Sequence, residues 1–232
     1  MGNHLYPLLK ASSRHLESLE LDMIFWERAV VQDIYSDVFG TFGRWQLSPR
    51  LKFPSLQELS LSAISFRQTA NEVALAFDLS RLRTLKLKKC ASTADLLRAI
   101  VNLDQSIKFT QLEVVVDADT GIREDFDLRA PTSFLDACEG LEDLHIVSPA
   151  IYHLHQTKSF WRSVLGHVST LKRLVAHERI IVSGQWDAPI DGDVPWCPQT
   201  REFLQDCRLE CLGLCNDTDF LVGLISFHRE AD

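Results

Sequence analysis

The stretch Leu82-Arg83-Thr84-Leu85-Lys86-Leu87-Lys88-Lys89-Cys90 decides the fold of this chain. Its first six residues read Leu-x-x-Leu-x-Leu, with leucines at positions 1, 4 and 6. Positions 4 and 6 are two apart, the period of a strand, so both side chains point to one face. The same word returns at Leu16-x-x-Leu19-x-Leu21, Leu56-x-x-Leu59-x-Leu61, Leu141-x-x-Leu144-x-Ile146 and Leu209-x-x-Leu212-x-Leu214. Weaker copies stand at Leu112-x-x-Val115-x-Asp117 and Leu171-x-x-Leu174-x-Ala176. The seven starts are 40, 26, 30, 29, 30 and 38 residues apart. A unit this small cannot bury its apolar face alone, and stacking the copies gives them a common core.

This spacing is the leucine-rich-repeat pattern. It predicts an α/β architecture: an irregular leucine-rich-repeat solenoid of about seven parallel strands on the concave face, with helices on the convex side. One solenoid domain is expected over residues 1–232, with insertions near 26–53 and 178–206. Helices are expected between the strands. Leu96, Leu97, Ile100 and Val101 recur at helical spacing, with Ser92 and Asp95 as a capping-box-like start. Further apolar stripes lie over Asn71–Phe77, over Phe134, Leu135 and Cys138 after Pro131, over Ser159–Val168 and over Asp217–Phe227. Their expected role is core packing. Cys90 falls at position 9 of its copy, where the pattern carries Asn or Cys, and is expected to cap the turn. In the fourth copy Asp117 falls on a core position. Either that strand shifts register to use Val114 and Val116, or it ends early.

Composition narrows the function. The 232 residues include 46% hydrophobic ones, the mark of a folded protein, and the net charge is -8. That sign argues against broad nucleic-acid binding, which needs a phosphate-neutralising field. No run of about 18 apolar residues exists, so no membrane span is expected. The N-terminal residues lack the apolar core of a secretory signal. Six scattered cysteines are expected to be reduced thiols, which suits a cytoplasmic or nuclear protein.

With positions 1, 4 and 6 inside, positions 3, 5 and 7 face the concave surface. The expected partner-binding residues are Glu20, Asp22, Glu58, Ser60, Lys86, Lys88, Val114, Val116, His145, Arg173 and His177. They run from acidic through basic to apolar and mixed, an order that would steer and register a complementary protein. The mid-sheet valines are a candidate hot-spot patch.

Three stretches carry a resemblance: Phe53-Pro54-Ser55-Leu56-Gln57-Glu58-Leu59-Ser60-Leu61, Gly140-Leu141-Glu142-Asp143-Leu144-His145-Ile146 and Ser169-Thr170-Leu171-Lys172-Arg173-Leu174-Val175. They resemble the repeats of fungal F-box/leucine-rich-repeat proteins, and the likeness runs from about Leu16 to Phe227. It implies a substrate-recognition module of an F-box-like ubiquitin-ligase receptor, whose repeats capture a protein for ubiquitination. In that family an N-terminal F-box docks on a Skp1-type adaptor. Only fifteen residues precede Leu16, fewer than an F-box needs. Adaptor docking is therefore assigned to no residue here, and an adaptor is expected only if an F-box exists outside this chain.

Other readings compete. Asp143, His145 and His177 fall on neighbouring strands, and an Asp–His pair invites a general-base reading, but no Ser or Cys nucleophile is placed to face it. Cys197, Cys207, Cys211 and Cys215 offer thiols for a metal. A metal-binding protein or enzyme built on His145/His177 or on Cys197–Cys215 is thus one alternative, and a bare scaffold or truncated remnant another. His153 and His155 lack two further ligands, and Asp187, Asp191 and Asp193 lack the pattern of a calcium loop. No Gly-rich phosphate loop or Gly-x-Ser-x-Gly elbow occurs. The expectation is no catalytic residue, no cofactor and no metal.

Overall fold

The computed structural model of the protein describes residues 9, 11–22, 52–66, 69–103, 105–116, 128–149, 154–179 and 208–214. In chain order the elements are β1 (Ser18–Asp22), β2 (Glu58–Ser62), α1 (Ala70–Ala76), β3 (Thr84–Lys88), α2 (Thr93–Val101), β4 (Gln111–Val115), α3 (Arg129–Ala137), β5 (Asp143–Pro149), α4 (Leu154–Leu165), β6 (Arg173–Arg179) and β7 (Cys211–Leu214). The fold is α/β, with one open sheet of seven strands in the order β1 to β7. Every neighbouring pair is parallel. The expected helix at Asp217–Phe227 and most of both expected insertions lie outside the described residues.

The repeated word sets the register. Leu19, Leu59, Leu85, Leu112, Leu144, Leu174 and Leu212 stand side by side across all seven strands. Just before each strand a position-2 carbonyl accepts two backbone N–H groups from the next copy. Gln57 O takes Arg83 N at 2.7 Å and Thr84 N at 3.0 Å, and Arg83 O takes Thr110 N and Gln111 N at 2.8 and 3.0 Å. The same fork recurs at Glu17, Thr110, Glu142 and Lys172. One carbonyl's two lone pairs thus pin each copy to the next.

Adjacent helices α1 to α4 pack on one another as a row. Their buried residues (Ala74, Leu96, Leu97, Ile100, Phe134, Leu135, Phe160 and Val164) join the strand leucines in one core. Phe109 stacks on Phe134 at 5.5 Å and Phe53 on Phe77 at 5.6 Å, filling the space between strand entrances and helix ends. One strand therefore presents two opposite fates. Leu85 is 1% exposed while its neighbour Lys86 is half-buried on the opposite side. Leu85→Ala is expected to cost about 2–5 kcal/mol through its cavity. Lys86→Glu should shift the urea midpoint by an amount worth under about 0.5 kcal/mol. Equal losses in a denaturation series would overturn this assignment of faces.

The fourth strand corrects the reading of its copy. Leu85 pairs with Leu112 and Leu87 with Val114, so Leu112 holds position 4 and Val114 position 6. Position 1 is Phe109, fully buried. The register is shifted, though onto Leu112 and Val114 and not onto Val114 and Val116, and Asp117 lies outside the described residues. Val114 is a core residue with no exposure, so it does not face a partner. Val116 follows the end of β4, half-buried against the core, at position 8. Its N–H bonds Val147 O at 2.8 Å, as Ala63 N bonds Lys88 O and Lys89 N bonds Val115 O. Position 8 is where the backbone leaves the sheet. At Ala63 and Lys89 it does so in the left-handed region, with φ of 58° and 53°.

The helices fall where the stripes predict, within a few residues, but the capping differs. Ser92 is the N-cap of α2, yet its side chain makes no cap bond, and its φ of 55° is left-handed. A cap hydroxyl needs an extended backbone to reach the first turn. Asp95 turns to Arg98 at 2.9 Å, so the capping box is not formed. Thr93 Oγ1 instead donates to Cys90 O at 2.8 Å. Cys90 does hold the turn: it is buried, and its Sγ donates to Leu61 O at 3.3 Å on the preceding copy. Burial pushes its thiol pKa up to about 12, and that of Cys138 likewise.

Candidate partner-binding face

With the leucines and helices on one side, positions 3, 5 and 7 form the other face of the sheet. Three rows cross it. The position-5 row runs Glu20, Ser60, Lys86, Glu113, His145, Val175, Gly213. The position-3 row runs Ser18, Glu58, Thr84, Gln111, Asp143, Arg173, Cys211. The position-7 row holds Asp22, Ser62, Lys88, Val115, Val147 and His177. Ser62 and Val147 are buried, so this last row is closed at those points and the other two carry the accessible surface.

Nine of the eleven expected binding residues are therefore brought to one face, counting His177 by its register alone. Val114 and Val116 are not among them, for the reason given above. Gln111, Glu113 and Val115 take their place, and the apolar mid-sheet patch gives way to a charged centre. Glu113 is the residue that the sequence reading missed. Its carboxylate is shielded, with 15% of the side chain exposed. It lies 3.5 Å from Lys88 Nζ and 3.3 Å from His145 Nδ1. The signal was present: Phe109, Leu112 and Val114 keep the 1-4-6 spacing once an aromatic is allowed at position 1.

Neighbouring strands neutralise much of the face. Asp143 accepts Gln111 Nε2 at 3.3 Å and faces Arg173 Nε at 3.6 Å. Ser18 Oγ donates to Glu58 Oε2 at 3.3 Å. Beyond the face, Lys172 Nζ meets Glu142 at 2.7 Å, and that carboxylate raises the lysine's pKa. At the far end a Cβ on Gly213 would stand 3.1 Å from Val175 Cγ2. Glycine lets β7 approach there and leaves the surface bare.

The described surface carries hollows on both sides of the sheet. One, about 310 Å³, lies between α1 and α2 against Phe66, Asn71, Asp95, Arg98 and Asn102. The other, about 110 Å³, lies on the polar face over β1 to β3.

Among the described residues, no group of three or more His, Cys, Asp and Glu is placed to hold a metal ion. His145 pairs across to Val175 and His177 to Val147, so the two histidines sit two residues out of step on adjacent strands. Cys211 is exposed, while Cys197, Cys207 and Cys215 lie outside the described residues, as do His153, Asp187, Asp191 and Asp193. No described helix is long and apolar enough to cross a membrane. Compared with protein-family models, curated proteins and solved structures, the chain matches none. The resemblance to F-box/leucine-rich-repeat proteins rests on the repeat words alone.

Proposed function

We propose that the chain is a leucine-rich-repeat solenoid that captures a protein on its polar sheet face, as the substrate-recognition part of an F-box-like ubiquitin-ligase receptor. One observation carries this reading. Seven strands in register hold two long rows of charged and polar side chains on a face that no described helix covers. Such a surface needs little backbone ordering at binding, because the leucine core beneath already holds its strands. The ubiquitin-ligase part comes from the repeat resemblance, and no residue of this chain is given the adaptor-docking role.

The test places a photo-crosslinking amino acid at Ser60 or Arg173 on this face, and at Ser133 or Asp136 on the exposed side of α3. In cells of origin, one and the same protein is expected from Ser60 and Arg173, absent from Ser133 and Asp136, with a Skp1-type adaptor or cullin co-purifying. Capture without an adaptor or cullin would remove the ubiquitin-ligase part. Equal capture from both sides, or from neither, would remove the reading itself.

A further inference from the structure

The hollow over β1 to β3 is lined by Ser18, Glu20, Glu58, Ser60, Thr84, Lys86 and Lys88. Its two sides have opposite sign. On β1 and β2 stand Glu20 and Glu58, and on β3 stands Lys86. Ser18 holds Glu58 over the first two strands at 3.3 Å. Lys88 is committed to Glu113 at 3.5 Å, whereas no ion pair reaches Lys86 among the described residues. Ser60 lies between Glu20 and Lys86, Thr84 stands beside Glu58 on β3, and Ser18 flanks Glu58 on β1. Glu20 and Lys86 are two strands apart, which sets their backbones roughly 10 Å from one another.

Size decides what class of ligand fits. Small-molecule pockets enclose about 300–1,000 Å³, and this hollow holds about 110 Å³. It can seat side-chain tips and cannot enclose a whole metabolite. A nucleic-acid strand would set phosphates against Glu20 and Glu58, on a chain of net charge -8.

We infer that this hollow is the docking point for a protein segment that carries one basic and one acidic side chain about 10 Å apart. The basic group meets Glu20 and Glu58, and the acidic group meets Lys86. This rests on the partner-binding reading above and supplies the chemistry of the partner. The inner hydroxyls accept or donate to whatever polar backbone lies between the two charges. The affinity from such exposed pairs is small, and their value is in selecting and orienting the segment.

The test uses three short capped peptides in a Ser-rich background, with a mixed-charge, a dibasic or a diacidic pair at that separation. Binding is followed at low ionic strength by the backbone amide shifts of Ser18, Ser60 and Thr84. The wild-type protein is expected to prefer the mixed peptide by about three- to five-fold, and to lose the preference at high salt. Lys86→Glu leaves Lys88, which faces Glu113, as the one lysine of the hollow and is expected to move the preference to the dibasic peptide. Glu20→Lys/Glu58→Lys is expected to move it to the diacidic one. A mere structural role for these residues would move no preference. Binding on this face without those two switches would overturn this inference alone. Peptide shifts confined to residues outside the face would overturn both it and the reading beneath it.

Discussion

Val114→Asp is expected to unfold this protein, while Val115→Asp, one residue on, leaves it folded. Val114 has no exposed surface and packs in the core between Leu87 and Ile146 in the sheet. A carboxylate there has no partner, and burying one costs several kcal/mol even after it takes up a proton. A domain's whole stability is about 5–15 kcal/mol, so a loss above about 4 kcal/mol, or an insoluble product, is the predicted outcome. Val115 is half-buried on the polar face, paired in register with Lys88. An aspartate there keeps part of its surface in water beside Lys88, which it would share with Glu113, and the change should stay within about 1 kcal/mol. Urea denaturation followed by circular dichroism reads both. The reverse ranking would put Val115 in the core and return the frame to Leu112 at position 1.

Alkaline solution should weaken the fold through two thiols. Burial of Cys90 and Cys138 raises each pKa from an ordinary 9.0 to about 12. The sign follows from proton counting. Below pH 9 both states keep the proton and the thiols contribute no pH dependence. Between about 9 and 12 the unfolded chain releases it and the folded chain does not, so stability falls as pH rises. Each thiol contributes a loss of about 1.4 kcal/mol per pH unit in that window, or about 3 kcal/mol per unit for the pair. Denaturation midpoints measured at pH 8, 9 and 10 should show this slope in the wild type. It should be shallower in Cys90→Ala/Cys138→Ala, whatever that variant loses in packing. Identical slopes would mean that neither thiol is desolvated. As a companion readout, a thiol reagent should modify the exposed Cys211 in the native protein, and Cys90 and Cys138 only after unfolding.

Both predictions turn on burial at single positions, and the sequence disclosed those positions unevenly. The strands around Leu56, Leu82, Leu141 and Leu171 were legible because the word is short and local. Six residues carry both the strand period and the side that is buried. Cys90 was legible for the same reason, at a set distance from Leu82. The left-handed backbone of Ser92 that prevents a capping box was not, because the turn before α2 is held by the bonds of Ala91 to Ile64 and Phe66 in the copy before. The fourth copy was misread because a leucine was sought at position 1 and Phe109 stands there. That ring is accommodated by Phe134 of α3, a contact that nothing near Phe109 in the chain announces.

The polar face divides along the same line. That Glu20, Glu58, Ser60, Lys86, Lys88, His145 and Arg173 share one side follows from alternation within each strand, a property of the covalent backbone and of the leucines beside them. Which charge meets which is another matter. Glu113 neutralises Lys88 and approaches His145, Asp143 takes Arg173, and Lys86 keeps its charge for the hollow. Those partners are 25 to 32 residues apart in the chain and within 4 Å in space. Their pairing depends on strand register, and the register is set by the forked carbonyls and the packed core of neighbouring copies. Periodicity settles which residues of a strand share a side, since it needs only the next two residues, but in the fourth copy the side itself was fixed by packing. The charge map of the surface exists only once the copies are stacked, since each of its pairs is made between strands.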